Sequence, residues 1–435
     1  MRIVSKMALA VALGGLALAA PAFAKKEEKP AAAAAKATPA VQKAAFDAQK
    51  ATDAGDLATA LTNYNAAKAA IVTDEDKFMV GRVGYQIYQK NKDMALFSEV
   101  VDLMLTSGKA SPDAQKQLYF AQGQVAYNKK DFPRAMTAFK AAEAAGNEDP
   151  DLVPLIVEST AQSGQTLQAL NTLNEEVAKR TSAGKPVPTE WYQRGLSIGY
   201  KAKPNPAEQA QINATTLELA KKWVAADPQP RNWNAALAIY SQQYKLATED
   251  RVEVLRLLRA ANAMQGDADY RELADDVYLR FPNEALSVLQ EGNSKGIVNL
   301  TKGDAADVIG IVKGKVAADK ASLPAADKAA RAAATGKAAL STADAYVGYG
   351  DYAKAIDLYK VALAKGGVDA GTVNLHMGWA QALSGDSAGA KTSFAAVTGS
   401  KKPIADFWVI HLDHPTIPNA APAAAAGAPP ASPAK

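Results

Sequence analysis

Residues able to carry out acid–base, nucleophilic or metal chemistry are few in this chain. It holds three His and no Cys in 435 residues. His411-Leu412-Asp413-His414 gathers two imidazoles and a carboxylate, a donor set of the kind that binds zinc. A centre of that kind needs further ligands in an enclosed geometry. This stretch runs straight into Pro415, so the spacing reads as a solvated helix end. His376 stands near Trp379 and reads as a packing or groove residue. The absence of Cys excludes disulfides, thiolate catalysis and zinc ribbons. No Gly-x-Ser-x-Gly elbow occurs. The phosphate-loop pattern also fails, because Gly314-Lys315 is followed by Val316 and Gly184-Lys185 by Pro186. The acidic pairs Glu175-Glu176 and Asp275-Asp276 are neighbours in sequence, so on a helix they project to different faces and not across a cleft. The expectation is a protein that is not an enzyme and holds neither metal nor cofactor.

Charge narrows the partners. Forty-nine Lys and Arg against 45 Asp and Glu leave a formal net charge of +4, too balanced a field to argue for nucleic acid or an acidic substrate. With catalysis and nucleic acid set aside, recognition of other proteins is the expected role.

The first 24 residues read as an address. Arg2 and Lys6 precede an apolar run from Met7 to Ala20, Pro21 breaks it, and Ala22-Phe23-Ala24 supplies small residues before Lys25. That run is shorter than the roughly 20 residues a membrane-spanning helix needs. A secretory signal peptide cleaved after Ala24 is expected, with export to the periplasm or beyond. No later stretch is apolar enough to span a membrane. Residues 25–40 and 415–435, rich in Ala, Pro and Lys, are expected to be disordered.

Between these ends, apolar residues recur at three- and four-residue steps in blocks separated by Gly, Asp, Asn or Pro turns, which predicts an all-α chain of short helices. The clearest unit runs from Tyr119 to Pro150. Gly123 and Ala126 lie in its first helix, Lys129-Lys130-Asp131 form the turn, and Phe132, Ala135, Phe139 and Ala142 belong to its second helix. Small residues at Gly123 and Ala135 allow two antiparallel helices to approach closely, and the Phe residues fill the space beside them. This unit resembles the tetratricopeptide repeat (TPR) family, with small and aromatic residues at set offsets over about 34 residues. The pattern returns at Gly55, Leu57, Ala60, Tyr64 and Ala67; at Gly164, Ala169 and Leu173; at Gly350, Tyr352, Ala355, Tyr359 and Ala362; and at Gly378, Gly385, Ala390 and Phe394. The resemblance implies an α-solenoid of antiparallel helix pairs with a right-handed superhelix, degenerate in the middle. Helix pairs are also expected around Gly84 and Leu96, over Trp191–Pro228 with a loop from Lys201 to Pro206, and over 233–263 and 270–290. The expected organisation is an N-terminal array over 41–292, an Ala/Lys-rich connector of thin packing over 293–340, and C-terminal repeats over 341–414.

In such a family the first helices line the concave face, and the resemblance places partner contacts there. Residues one and four places after the small first-helix residue are Tyr85 and Tyr88 from Gly84, and Gln124 and Tyr127 from Gly123, with Asn128 next. Tyr192 and Tyr200 flank Gly195, and Trp379 follows Gly378. Tyr and amide side chains suit an extended peptide. The Lys/Asn clamp with which some members grip a C-terminal carboxylate is missing, since the corresponding places hold Phe120, Gln124, Tyr192 and Leu196. These residues together predict a non-catalytic scaffold of the bacterial cell envelope that binds a protein partner. A peptidoglycan-acting enzyme or activator, and a component that associates with itself, are the alternatives.

Overall fold

Two adjacent residues set most of the hairpin turns. A residue in the left-handed region ends the first helix, and an Asp follows that caps the second: Gly55-Asp56, Lys92-Asp93, Lys130-Asp131, Gly350-Asp351 and Gly385-Asp386. The first residue turns the chain, and the Asp carboxylate accepts from a backbone N–H that the new helix leaves unpaired, as Asp56 does from Thr59 at 3.0 Å. Lys92 (φ 56°) fills the position where the sequence lacks a turn glycine.

The computed structural model describes residues 36–203 and 206–416. Among these residues there are 20 α-helices and no strand. They fall into two compact units that divide between Ala183 and Gly184, inside the array expected over 41–292.

The first unit holds four antiparallel hairpins: α1 (Pro39–Asp53) with α2 (Leu57–Ala69), α3 (Asp74–Asn91) with α4 (Met94–Thr106), α5 (Pro112–Asn128) with α6 (Phe132–Ala144), and α7 (Leu152–Gln162) with α8 (Thr166–Ser182). Each first helix also packs on the second helix of the hairpin before it, which makes the array continuous. Of the segment expected to be disordered over 25–40, residues up to 35 lie outside the described part. The remainder is anchored: α1 starts at Pro39, and the Thr38 N–H donates to buried Asp76 at 2.6 Å.

The second unit begins with α9 (Thr189–Lys201) and α10 (Pro206–Ala226), then α11 (Pro230–Tyr244) and α12 (Thr248–Ala260), and α13 (Asp267–Val277) and α14 (Pro282–Ser294). The segment expected to be a thin connector is one 30-residue helix, α15 (Gly303–Ala332), packed on α14 and on α16 (Lys337–Gly348) inside this unit. Val308, Ile309, Val312 and Leu323 point into the core, Val316 is half-buried, and Ile311 lies exposed on the Ala/Lys-rich outer face. Then come α17 (Tyr352–Lys365), α18 (Ala370–Leu383), α19 (Ser387–Ala395) and α20 (Lys402–Asp413).

Helix α20 folds back onto the start of its unit. Asp406 pairs with Lys221 of α10 at 2.9 Å, and Lys401 pairs with Asp250 of α12. Phe407 meets Trp233 of α11 edge-on, with ring centroids 6.0 Å apart. His411, expected at a solvated helix end, instead packs edge-on between Trp233 and Trp408. Burial among aromatic rings holds its pKa below the usual imidazole value, so the ring is neutral. His414 is exposed, as expected.

Candidate functional site

The hairpins share one register. In three of them a first-helix glycine faces the side chain sixteen residues later: Gly84 faces Val100, Gly123 faces Phe139 and Gly378 faces Phe394. A Cβ on Gly84 would lie 2.6 Å from Val100, and one on Gly378 would lie 2.5 Å from Phe394, closer than packed carbons come. The buried pairs Ala48 and Tyr64, Val157 and Leu173, and Ala343 and Tyr359 keep the same spacing. Places one, four and five after each reference residue fall on one helix face.

In the first unit this face is partly open. The residues in the fifth place, Asp53, Gln89, Asn128 and Gln162, are all exposed. Each stands in the last turn of a first helix, giving one acidic and three amide side chains at equivalent positions of four successive hairpins. Gln124 and Tyr127 are half-buried beside Asn128, with the Tyr127 ring edge-on to Phe132 at 5.6 Å. Tyr88 is half-buried and stacks on Phe97 at 4.4 Å. Tyr85, expected at the groove, is buried in the core instead, 6.5 Å from the same Phe97 ring. Only the amide-bearing end of the expected surface is therefore available to a partner.

The pair around Gly195 departs from this spacing. Gly199 is pressed against α10, where a Cβ would collide with Thr216, seventeen residues on. Tyr192 is buried in the hairpin, while Tyr200, next to Gly199, is exposed.

In the second unit the same face is filled by the unit's own charges. Trp379 is 6% exposed, and the Arg256 guanidinium of α12 lies 4.3 Å above its ring. Arg256 makes a fork to Glu284 of α14, 2.9 and 2.8 Å, and donates to Glu253 at 2.8 Å. Protonated His376 donates from Nδ1 to Asp344 of α16 at 2.7 Å and from Nε2 to Glu253 at 3.0 Å, and the Tyr359 hydroxyl of α17 donates to Asp344 at 2.6 Å. Five helices thus meet on one buried network. Burial alone would favour neutral imidazole, but Asp344 and Glu253 outweigh it and raise His376 to about 10. Burial likewise opposes ionisation of Glu253, yet His376 and Arg256 bring it down to about 2. Burial and the Asp344 carboxylate both hold the Tyr359 hydroxyl protonated.

The sequence placed Trp379 in an open groove, where the structure buries it under Arg256; it flagged His376 as a packing or groove residue and missed Glu253, Arg256, Glu284 and Asp344. The one signal in the sequence was that Val252, Val254, Leu255, Leu257 and Leu258 spread apolar side chains around α12 instead of along one stripe. The buried residues of α12 run without a break from Val252 to Leu258, so the helix is enclosed on every side and its Glu and Arg must pair inside. Among the described residues no group of side chains is arranged to hold a metal ion, and no helix is long and apolar enough to cross a membrane.

No family model matches this chain, and no curated protein matches it. Solved structures of helical proteins are similar to it at a distance. One is Naa15/Naa10 bound to HypK-THB, with 12% identity, 84% of this chain and 65% of that chain covered, and a TM-score of 0.29. Another is the pentatricopeptide repeat protein PPR10 from maize, with 11% identity, 85% and 61% covered, and a TM-score of 0.24. A third is the APC/C hetero-tetramer Cut9–Hcn1, with 12% identity, 86% and 83% covered, and a TM-score of 0.19. The chain spans less than two thirds of the length of the first two. Likeness at this level carries no argument about partners, whose chemistry has to be sought in this chain's own residues.

Proposed function

We propose that this chain is a non-catalytic scaffold that holds an extended segment of a protein partner along the first unit. The observation that carries the reading is the exposed set Asp53, Gln89, Asn128 and Gln162 at equivalent places of four stacked hairpins, with Tyr88 and Tyr127 beside it. An amide side chain offers both a donor and an acceptor, so a row of them can pair with peptide backbone whatever its side chains. The half-buried Tyr rings add contact area at low entropic cost. The setting proposed is the bacterial cell envelope, reached through a leader cleaved after Ala24. That assignment rests on the sequence of residues 1–24, which lie outside the described part.

The test is site-specific photocrosslinking in cells, with the probe at exposed Asn128 and a control at exposed Thr137 on α6. Capture of one discrete protein from position 128 and not from 137 supports the reading. Equal capture or none at both positions overturns it. Mature protein that begins at Lys25 in the envelope fraction supports the export assignment, and an uncleaved cytoplasmic chain removes it.

A further inference from the structure

The second unit keeps a remnant of the open face. Beside Trp379 a cavity of about 290 Å³ remains between α12, α14, α16 and α18, close to the lower size of sites that hold small ligands or a few residues of peptide. Its two walls differ in chemistry. On one side stand Trp379, Val347 and Leu383, the last 40% exposed at the mouth. These occupy register places one and five after Gly378 and four after Ala343, which in the first unit include the proposed partner contacts. On the other side stand Arg259, Ser287 and Glu291.

The charges on that second side do not cancel. Glu284 also lines the cavity, but both of its oxygens are taken by the buried Arg256 fork. Glu291 serves two cations at once, accepting from Arg259 Nε at 2.7 Å and from Lys295 at 2.8 Å. The other partners of Lys295 are neutral, Asn262 and the Tyr270 hydroxyl. Arg259 spends its second bond on the neutral Ser287 hydroxyl, 2.6 Å, and its Nη1 takes part in neither bond. Arg259, Lys295 and Glu291 together leave one positive charge at this wall, while the buried network behind it, Arg256 and His376 against Glu253, Glu284 and Asp344, carries one negative charge whose oxygens are engaged inside. A guanidinium in that state recruits a carboxylate.

We propose that this cavity is a binding site for a peptide segment bearing an apolar side chain next to an acidic one. The apolar group packs on Trp379 and Leu383, and the side-chain carboxylate accepts from Arg259. The site is separate from the exposed row of the first unit, so either proposal can fail without the other.

The full-length chain, labelled with 5-fluorotryptophan, reports binding through its five Trp, and Trp379→Phe identifies the relevant resonance. The probes are two hexapeptides, acetyl-Ser-Gly-Leu-Glu-Gly-Ser-amide and its counterpart with Lys for Glu. Both ends are capped, so a terminal carboxylate cannot supply the charge. The Glu peptide is expected to shift the Trp379 signal and to bind about tenfold tighter than the Lys peptide, the usual worth of a charge-assisted hydrogen bond. Arg259→Gln should erase that preference. Leu383→Asp, at an exposed position that tolerates exchange, should reverse it in favour of Lys. No Trp379 shift up to the solubility limit, equal response to the two peptides, or a preference unchanged in both variants overturns the proposal.

Discussion

The Nε2 of His376 donates to a Glu253 carboxylate oxygen 3.0 Å away, across 123 residues of intervening chain. That bond fastens α18 to α12 and, through Asp344, to α16. The same imidazolium leans on two carboxylates, so its charge is a condition of the packing and not an ornament of it.

The network makes folding depend on pH. An imidazole raised to about 10 from 6.5 stabilises the fold fully below about pH 6.5 and loses that contribution as pH climbs through 10. A carboxyl lowered from 4.5 to about 2 contributes above about 4.5 and is lost as pH falls through 2. The network is therefore strongest between about pH 4.5 and 6.5. His376→Gln should flatten the alkaline decline of thermal stability relative to the parent. His376→Ala should cost about 3–5 kcal/mol at pH 6 by leaving Glu253 and Asp344 unpaired together. Parallel melting curves of parent and His376→Gln from pH 6 to 10 would show the imidazolium to be absent.

Substitution of glycines separates steric need from helix propensity. At Gly123 an added Cβ meets the Phe139 ring well inside contact distance, so Gly123→Ala should destabilise by about 1–2 kcal/mol despite Ala being the better helix former. Gly310 in α15 has open space around it, and Gly310→Ala should stabilise by about 0.5–1 kcal/mol. Urea melts of the two variants decide the matter. Changes of the same sign would mean that the close approach of α5 and α6 does not set the register.

The sixteen-residue register explains what the sequence could and could not disclose. The clearest helix pairs were legible because they repeat a small residue, a turn and an Asp cap, all local chemistry. Gly123 with Phe139 and Gly378 with Phe394 follow from that pattern alone. Tyr85 and Trp379 sit at the expected offsets, yet both are buried: Tyr85 packs toward Phe97 within its own hairpin, and Trp379 is covered from another part of the chain. Trp379 is covered by Arg256, a partner 123 residues earlier whose approach depends on how the second unit closes. Tyr192 was misplaced for a smaller reason. It lies three places before Gly195, off the one-and-four offsets used elsewhere, and that place is buried in the hairpin.

The exposed row makes its own demand. Gln89→Ala, Asn128→Ala and Gln162→Ala remove exposed side chains whose own bonds, Gln89 to Tyr85 and Gln162 to Glu158 at 2.9 Å, lie at the surface, so thermal stability should stay within about 0.5 kcal/mol per site. Partner capture from a photoreactive probe at Gln124 should fall steeply. Tyr127→Ala should weaken capture with helicity unchanged, at a stability cost of about 1 kcal/mol for the lost edge contact with Phe132. Undiminished capture in the triple variant would exclude the amide row from partner binding. A loss of helicity in Tyr127→Ala would make that residue part of the packing.

Closure of the second unit depends on α20. Phe407 is fully buried against Trp233 and Tyr240, while the ion pairs to Lys221 and Asp250 are partly solvated and worth little by comparison. Phe407→Ala should therefore cost about 3–5 kcal/mol, and Asp406→Asn less than about 1 kcal/mol. The two variants differ in mechanism as well as size. Loss of the Phe407 ring frees α20 from α11, which would expose Trp233 to water and make the chain cleavable by trypsin after Lys401, the bond after Lys402 being protected by Pro403. Limited proteolysis followed by mass measurement of the fragments reads this directly. Early cleavage after Lys401 in Phe407→Ala, with Asp406→Asn as resistant as the parent, would identify aromatic burial as what holds α20 in place. The reverse order would assign that task to the ion pairs.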